Sequence, residues 1–256
     1  MTQNSQKKRA FILSGGAARG AFHLGILHFC EEHNIQIDTY SGSSIGAIIS
    51  VSHASGISAK EQLKIFSSKD IKKVLKFNYF KNGLIRIDKN HKILNDLLPI
   101  KKLEDLEKKV YVNAYDVKKK QLHYFDSGDT HTLCMASSAL IPVFKPITYE
   151  NMYLIDGGLV DNIPIRPFLE NYEEFETYSI DIMPRKIHTM EKRRNINPIN
   201  ILKKKVFARR MDNANYSIQH TNHYISNQKI RNFKMFTFNE LNECFNFGYK
   251  EAQKHF

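Results

Sequence analysis

Gly42-Ser43-Ser44-Ile45-Gly46 sits where an apolar strand pattern, Ile35 to Ser41, gives way to a helix pattern, Ile45 to Ala54. A G-x-S-x-G turn there lifts one hydroxyl out of the backbone, and its glycines let strand and helix pass without Cβ clashes. A second strand-turn-helix unit precedes it. Ala10 to Leu13 reads as a short buried strand, Gly15-Gly16 stops it, and a mostly apolar helix follows through Ala21, Phe22, Leu24, Gly25, Ile26, Leu27 and Phe29. Gly56 is placed to end the helix after Ser44, and Ser58 to Glu61 has capping-box spacing for another running towards Leu75. Alternating strands and helices predict an α/β fold, a mostly parallel sheet flanked by helices.

Further along, Val110 to Ala114 is a strand whose hairpin partner is Gln121 to Phe125. Met152 to Ile155 and Thr177 to Ile182 are two more, and Phe233 to Phe238 is a last possible one. After Pro184 the pattern is helical, and Leu241, Cys244, Phe245, Gly248 and Ala252 recur at the spacing of a closing helix. With no internal repeat, low-complexity tract or obvious linker, residues 1–256 read as a single domain, and the 256-residue length suits one.

Hydrophobic residues make up 42%, enough for a sizeable core, while the net charge of +12 implies attraction to something anionic. Cys30, Cys134 and Cys244 are far apart and form no C-x-x-C pair, which argues against zinc ribbons and suits a reducing compartment. The polar, basic start is followed by only four apolar residues, too few for a signal-peptide core, and no run approaches the ~20 needed to span a bilayer. The expectation is a cytoplasmic protein whose membrane contact is peripheral.

Acyl transfer needs a serine hydroxyl that loses its proton to a base, and preorganised N–H donors for the oxyanion. The Gly15-Gly16 turn lies between a strand and a helix start, where backbone amides lack internal partners. On local physics it serves equally as an oxyanion hole or a phosphate loop. Nucleotide patterns fail on spacing. Gly15 and Gly20 match the Walker A interval, but Ala21 and Phe22 stand where lysine and a hydroxyl belong, and G-x-G-x-x-G is absent.

Four blocks within about residues 9 to 167 resemble the patatin-like phospholipases, in that family's order. They are Leu13-Ser14-Gly15-Gly16-Ala17-Ala18-Arg19-Gly20 with the helix to Leu27, Gly42 to Ala47, Ala136-Ser137-Ser138-Ala139-Leu140-Ile141-Pro142, and Tyr153 to Pro164 around Asp156-Gly157-Gly158. Ala17 stands where many members have a third glycine, and Ser43 replaces a commoner threonine or glycine. The resemblance implies a Ser–Asp dyad without histidine: Ser44 the nucleophile, Asp156 its base, and the amides of Gly15, Gly16 and Ala17 the oxyanion hole. Arg19 would brace the loop or hold an anionic part of the substrate. A free aspartate is a poor base for a hydroxyl, so burial should raise the basicity of Asp156.

Asp161 competes with Asp156 for the base, and Ser137-Ser138 either caps a helix or lines the cleft, structure being favoured. An α/β-hydrolase triad would need one of His188, His220, His223 or His255, none in a distinctive setting, and that fold places its elbow after more strands. The resemblance implies hydrolysis of acyl esters of lipids, a phospholipase A, lysophospholipase or esterase activity, with no metal or organic cofactor. A catalytically silent lipid-binding scaffold and an acyltransferase on the same site are the alternatives.

Arg185 to Arg210 gathers ten basic residues against Glu191 alone, which suits docking on anionic phospholipid headgroups. Ile199 to Met211 does not make a clean amphipathic helix, because Lys203 and Arg210 intrude on its apolar face. No nucleic-acid motif accompanies the charge, so nucleic acid is not an expected partner. Phe77 to Asn95 is the candidate cover over the cleft.

Overall fold

A computed structural model describes residues 7–68, 92–141, 144–184 and 210–256. At its centre is β1 (Lys8–Leu13), with β2 (Thr39–Gly42) beside it in parallel register, Leu13 opposite Gly42. On the other side of β1 lie β7 (Phe175–Asp181) and then β8 (His223–Ser226), both parallel. Beyond β2 comes β3 (Lys109–Asp116), parallel at Gly42 opposite Val112. Three antiparallel strands complete the sheet: β4 (Gln121–Phe125) and β6 (Met152–Asp156) on β3, and β5 (Ile147–Tyr149) on β6. The order β5-β6-β3-β2-β1-β7-β8, with β4 also paired to β3, is a mixed sheet whose middle is parallel.

Ala10 to Leu13 is fully buried on both faces, as an unbroken apolar run in a central parallel strand requires. Phe11 and Leu13 point into the main core with α1 (Gly20–Glu32), α2 (Ile45–Ala54) and α7 (Leu241–Ala252). Ala10 and Ile12 pack on the other face with Ile163, Ile165 and Phe168 and, from the 210–220 helix α6, Ala214 and Ile218. The result is three layers, helix on sheet on helix. α1 and α7 approach closely. A Cβ on Gly25 would collide with the Phe245 carbonyl, and one on Gly248 with the Phe22 carbonyl.

The expected caps are present. Gly56 takes φ +86°, and the amides of Gly56 and Ile57 return to the His53 and Ser52 carbonyls at 3.1 Å, closing α2 as a Schellman motif. The Ser58–Glu61 capping box opens α3 (Ala59–Phe66), which ends well short of Leu75. Among the described residues the remaining α-helices are α4 (Lys92–Leu97) and α5 (Thr130–Ser137), the latter capped by Asp129. Among the described residues no helix is long and apolar enough to cross a membrane.

Phe233 to Phe238 is not a strand. Its backbone is used elsewhere: the Phe233 carbonyl accepts from Arg19 and the Met235 carbonyl from the Ala18 amide. The strand beside β7 is instead His223–Ser226, of which Ile225 alone is a fully buried hydrophobic. Most of the basic run, most of the Ile199–Met211 segment and all of the Phe77–Asn95 cover before Lys92 lie outside the described residues.

Candidate active site

All five parallel strands end at one edge of the sheet, and β1 lies where the chain order reverses, with β2 on one side and β7 on the other. Open α/β sheets leave a crevice at such a point. Two loops meet there, the glycine turn after β1 and the serine turn after β2.

The serine turn is tight. Ser44 has φ +53° and ψ −122°, a conformation costing about 1–3 kcal/mol that persists only where surroundings enforce it. The enforcing contacts are visible. The Ser43 amide donates to the Leu13 carbonyl at 3.0 Å, the Ser44 amide to Ser137 Oγ at 2.8 Å, and the Gly46 amide to the Ser43 carbonyl at 2.8 Å. Gly46 must be glycine, because a Cβ there would strike the Leu13 carbonyl.

The glycine turn faces Ser44. A Cβ on Gly15 would lie 3.0 Å from Ser44 Cβ and 2.8 Å from Asn162 Oδ1. Ala17 takes φ +51°, the left-handed region that disfavours alanine. The flanking amides are engaged, Ser14 to the Ile180 carbonyl at 3.1 Å and Ala18 to the Met235 carbonyl at 2.8 Å. Among the described residues, the amides of Gly15, Gly16 and Ala17 donate to no acceptor.

Several side chains hold this turn. Asn162 Nδ2 donates to the Gly15 carbonyl at 3.2 Å. Ser14 Oγ accepts the Ile182 amide at 2.9 Å and lies 3.5 Å from Asp181 Oδ1, whose other oxygen accepts from Tyr224. His23 Nε2 donates to the Ser14 carbonyl at 2.9 Å, and burial depresses its pKa to about 4, so it stays neutral. Arg19 spreads its guanidinium over backbone carbonyls, Phe233 at 2.8 Å and Arg231 at 3.1 Å. That is the contact set of a brace.

Asp156 ends β6 opposite Ala114. It is 6% exposed, its carboxylate accepts the Gly158 amide at 2.7 Å, and it lies near enough to the Ser44 hydroxyl for that hydroxyl to lower its pKa. Burial pushes its pKa up to about 6, against the opposing pull of the Gly158 amide, the Ser44 hydroxyl and the Arg210 charge. A carboxylate so placed is mostly ionised near neutrality and more basic than a free aspartate. Asp161 is also buried, with its pKa raised to about 6 by burial, but its carboxylate is taken by the Tyr124 hydroxyl. It sits behind the site, where its carbonyl accepts Asn113 Nδ2 at 2.6 Å.

Ser44, Asp156 and the Gly15–Ala17 turn therefore converge, and Arg19 lies behind the turn. The histidines of a triad do not join them. His220 bonds the Tyr216 carbonyl, His223 bonds Glu176, and His255 lies by Glu251. His188 is outside the described residues. Ser137 accepts the Ser44 amide and also donates to Asn113 Oδ1 at 3.4 Å, so its work is structural, as favoured. The sequence alone does not show the supporting roles of Asn113, Asn162, Asp181, Tyr224 and His23. Asn162 and His23 lie inside the matching blocks, where their presence was a signal, while Tyr224 lies on a strand with little pattern.

The family model described as Patatin-like phospholipase matches residues 11–169. A Debaryomyces hansenii protein named Lysophospholipase NTE1 is 26% identical over 167 residues, covering 63% of this chain and 11% of that protein. An uncharacterized NTE family protein of Mycobacterium bovis is 26% identical over 166 residues, covering 64% of this chain and 46% of its own. This chain thus spans about a tenth of the fungal relative's length and under half of the bacterial one's. The crystal structure of VipD from Legionella pneumophila shares the fold, with a TM-score of 0.54 at 16% identity over 97% of this chain and 66% of that one. With a family model covering well over half of its length and the fold to match, the chain belongs to the patatin-like phospholipase family.

Proposed function

We propose that this chain hydrolyses acyl esters of phospholipids or lysophospholipids through an acyl-Ser44 intermediate, with Asp156 as the base. The observation that carries the reading is Ser44 beside a buried, basic carboxylate and facing a turn whose three amides donate to no acceptor among the described residues.

Ser44 Oγ attacks the ester carbonyl as its proton passes to Asp156. The carbonyl oxygen becomes an oxyanion and is held by the amides of Gly15, Gly16 and Ala17, a kind of contact where losing one donor costs about 10²–10³ in rate. Collapse breaks the ester C–O bond, and the protonated Asp156 returns its proton to the departing alcohol. Water then attacks the acyl-serine, giving its proton to Asp156, and the fatty acid leaves as Ser44 Oγ regains a proton. Burial suits Asp156 to both directions, since a pKa of about 6 lies near the operating pH. No step requires a metal or organic cofactor. The family membership and the lysophospholipase relatives support a lipid substrate.

The test is fatty-acid release from phosphatidylcholine and lysophosphatidylcholine. Wild type should release it, Ser44→Ala should not, and a folded wild type that releases none from either lipid, nor turns over a soluble ester, would refute the reading.

A further inference from the structure

Among the described residues, the sheet edge that carries Ser44 also carries most of the exposed large apolar side chains. Among the described residues six are exposed, and four lie here: Val117, Ile141, Tyr153 and Phe236. β3 runs four residues past its last partner in β2, so the turn after Asp116 overhangs the Gly42 level by about 13 Å. In that turn Val117 is 38% exposed, and Lys118, Lys119 and Lys120 are exposed after it. The Val117 amide bonds the Tyr153 carbonyl at 3.0 Å, and Lys118 Nζ lies 4.2 Å from the Tyr153 ring centroid. Two acids are near. Asp116 turns its carboxylate back to the amides of Lys118 and Tyr153, and Glu150 lies in the adjoining β5–β6 turn. The lysines outnumber them.

Across the crevice, Phe236 is 65% exposed, next to the Met235 carbonyl that holds the Ala18 amide, with exposed Lys234 nearby. Ile141 stands two residues beyond Ala139, whose carbonyl takes the Asp156 amide. Apolar tips ringed by lysine thus flank the site on both sides. The other two exposed rings differ. Tyr172 lies just before β7 begins, at the opposite edge, and Phe256 stacks on Phe11 and Tyr178.

We propose that this rim docks on an anionic phospholipid bilayer, with Val117, Tyr153, Ile141 and Phe236 entering the headgroup boundary and Lys118–Lys120 pairing with lipid phosphates. The choice of partner rests on the lipid-hydrolase reading and on charge complementarity. Apolar side chains beside lysines are the composition of an interfacial contact. Each lysine near an anionic surface is worth about a fivefold factor in partitioning.

The chain has no tryptophan, so an introduced one reports its own surroundings. Val117→Trp, Phe236→Trp and Tyr172→Trp would be titrated with vesicles of phosphatidylcholine alone and with added phosphatidylserine. The first two should shift to the blue on anionic vesicles and the third should not. In co-sedimentation, Lys118→Ser with Lys119→Ser and Lys120→Asn should bind anionic vesicles at least about tenfold more weakly. Val117→Ser with Tyr153→Ser should also weaken, while Lys7→Ser with Lys8→Ser and Lys108→Ser, at the opposite edge, should bind as wild type does. Turnover of a water-soluble monomeric ester, read on the same samples, should be unchanged throughout and shows each variant is folded. Equal loss in the opposite-edge variant, unshifted tryptophans at 117 and 236, or lysine-dependent binding to duplex DNA without vesicle binding would overturn the docking face. Absent ester turnover in wild type would instead count against the hydrolase reading, leaving the vesicle result to decide the docking face.

Discussion

The amide of Ser44 donates a 2.8 Å hydrogen bond to the hydroxyl of Ser137, 93 residues further along the chain. That bond ties the strained turn after β2 to the C-terminal end of α5, and through Ser137 to Asn113 on β3. The position of Ser44 is thus held by elements packed around it. Ser137→Ala should leave a half-buried amide unpaired, lower stability by about 1–3 kcal/mol and reduce kcat more than KM. Thermal unfolding and steady-state kinetics would check this. A variant as stable and active as wild type would mean the turn needs no such support.

The pH dependence follows from Asp156. Its raised pKa of about 6 makes kcat/KM rise through about pH 6 and level off above, because the base works when deprotonated. Asp156→Asn should cost about 10³-fold in rate. Asp161→Asn should leave the inflection in place, since that carboxylate is taken by Tyr124, although Asp161 has a similar pKa.

Asp156 also has a stability consequence of the opposite sign. Its folded pKa lies above its ordinary 3.8, so folding is unpenalised below about pH 3.8, the penalty grows between 3.8 and 6, and it is complete above 6. Two pKa units correspond to about 3 kcal/mol at most. Asp156→Asn should therefore be more stable than wild type at pH 7 and lose that advantage below pH 4, as urea melts at the two pH values would show.

Gly15→Ala should slow turnover sharply. Its Cβ would sit 2.8 Å from Asn162 Oδ1 and 3.0 Å from Ser44 Cβ, pushing the two loops apart. Substrate turnover should fall at least about 10²-fold, the scale of one lost oxyanion donor.

Ala17→Gly runs the other way. At φ +51° alanine bears about 1–2 kcal/mol of strain that glycine does not, partly offset by glycine's greater freedom when unfolded. Calorimetry should show a gain of up to about 1 kcal/mol with activity retained.

The parts of the site readable in the sequence are those where backbone geometry dictates residue type. A Gly-Gly turn, a serine between glycines and an Asp-Gly-Gly each need particular residues at fixed spacing, and Ser44, Asp156 and Gly15 meet accordingly. Strand alternation around them gave the parallel centre of the sheet. What was not readable depends on tertiary contact. His23 looks like one more residue of a buried helix until its ring meets the Ser14 carbonyl, and Asp181 is an ordinary strand end until Tyr224 and Ser14 reach it. Phe233 to Phe238 alternates like a strand, yet its carbonyls serve Arg19 and Ala18. β8 is four residues long with a single fully buried hydrophobic, too little pattern to stand out.

Labelling with a fluorophosphonate probe tests the dyad most directly, read by intact mass and peptide mapping in wild type, Ser44→Ala and Asp156→Asn. The account predicts one adduct on Ser44 in wild type, none in Ser44→Ala and much slower labelling in Asp156→Asn. An adduct on another residue, or labelling of Asp156→Asn at the wild-type rate, would contradict it.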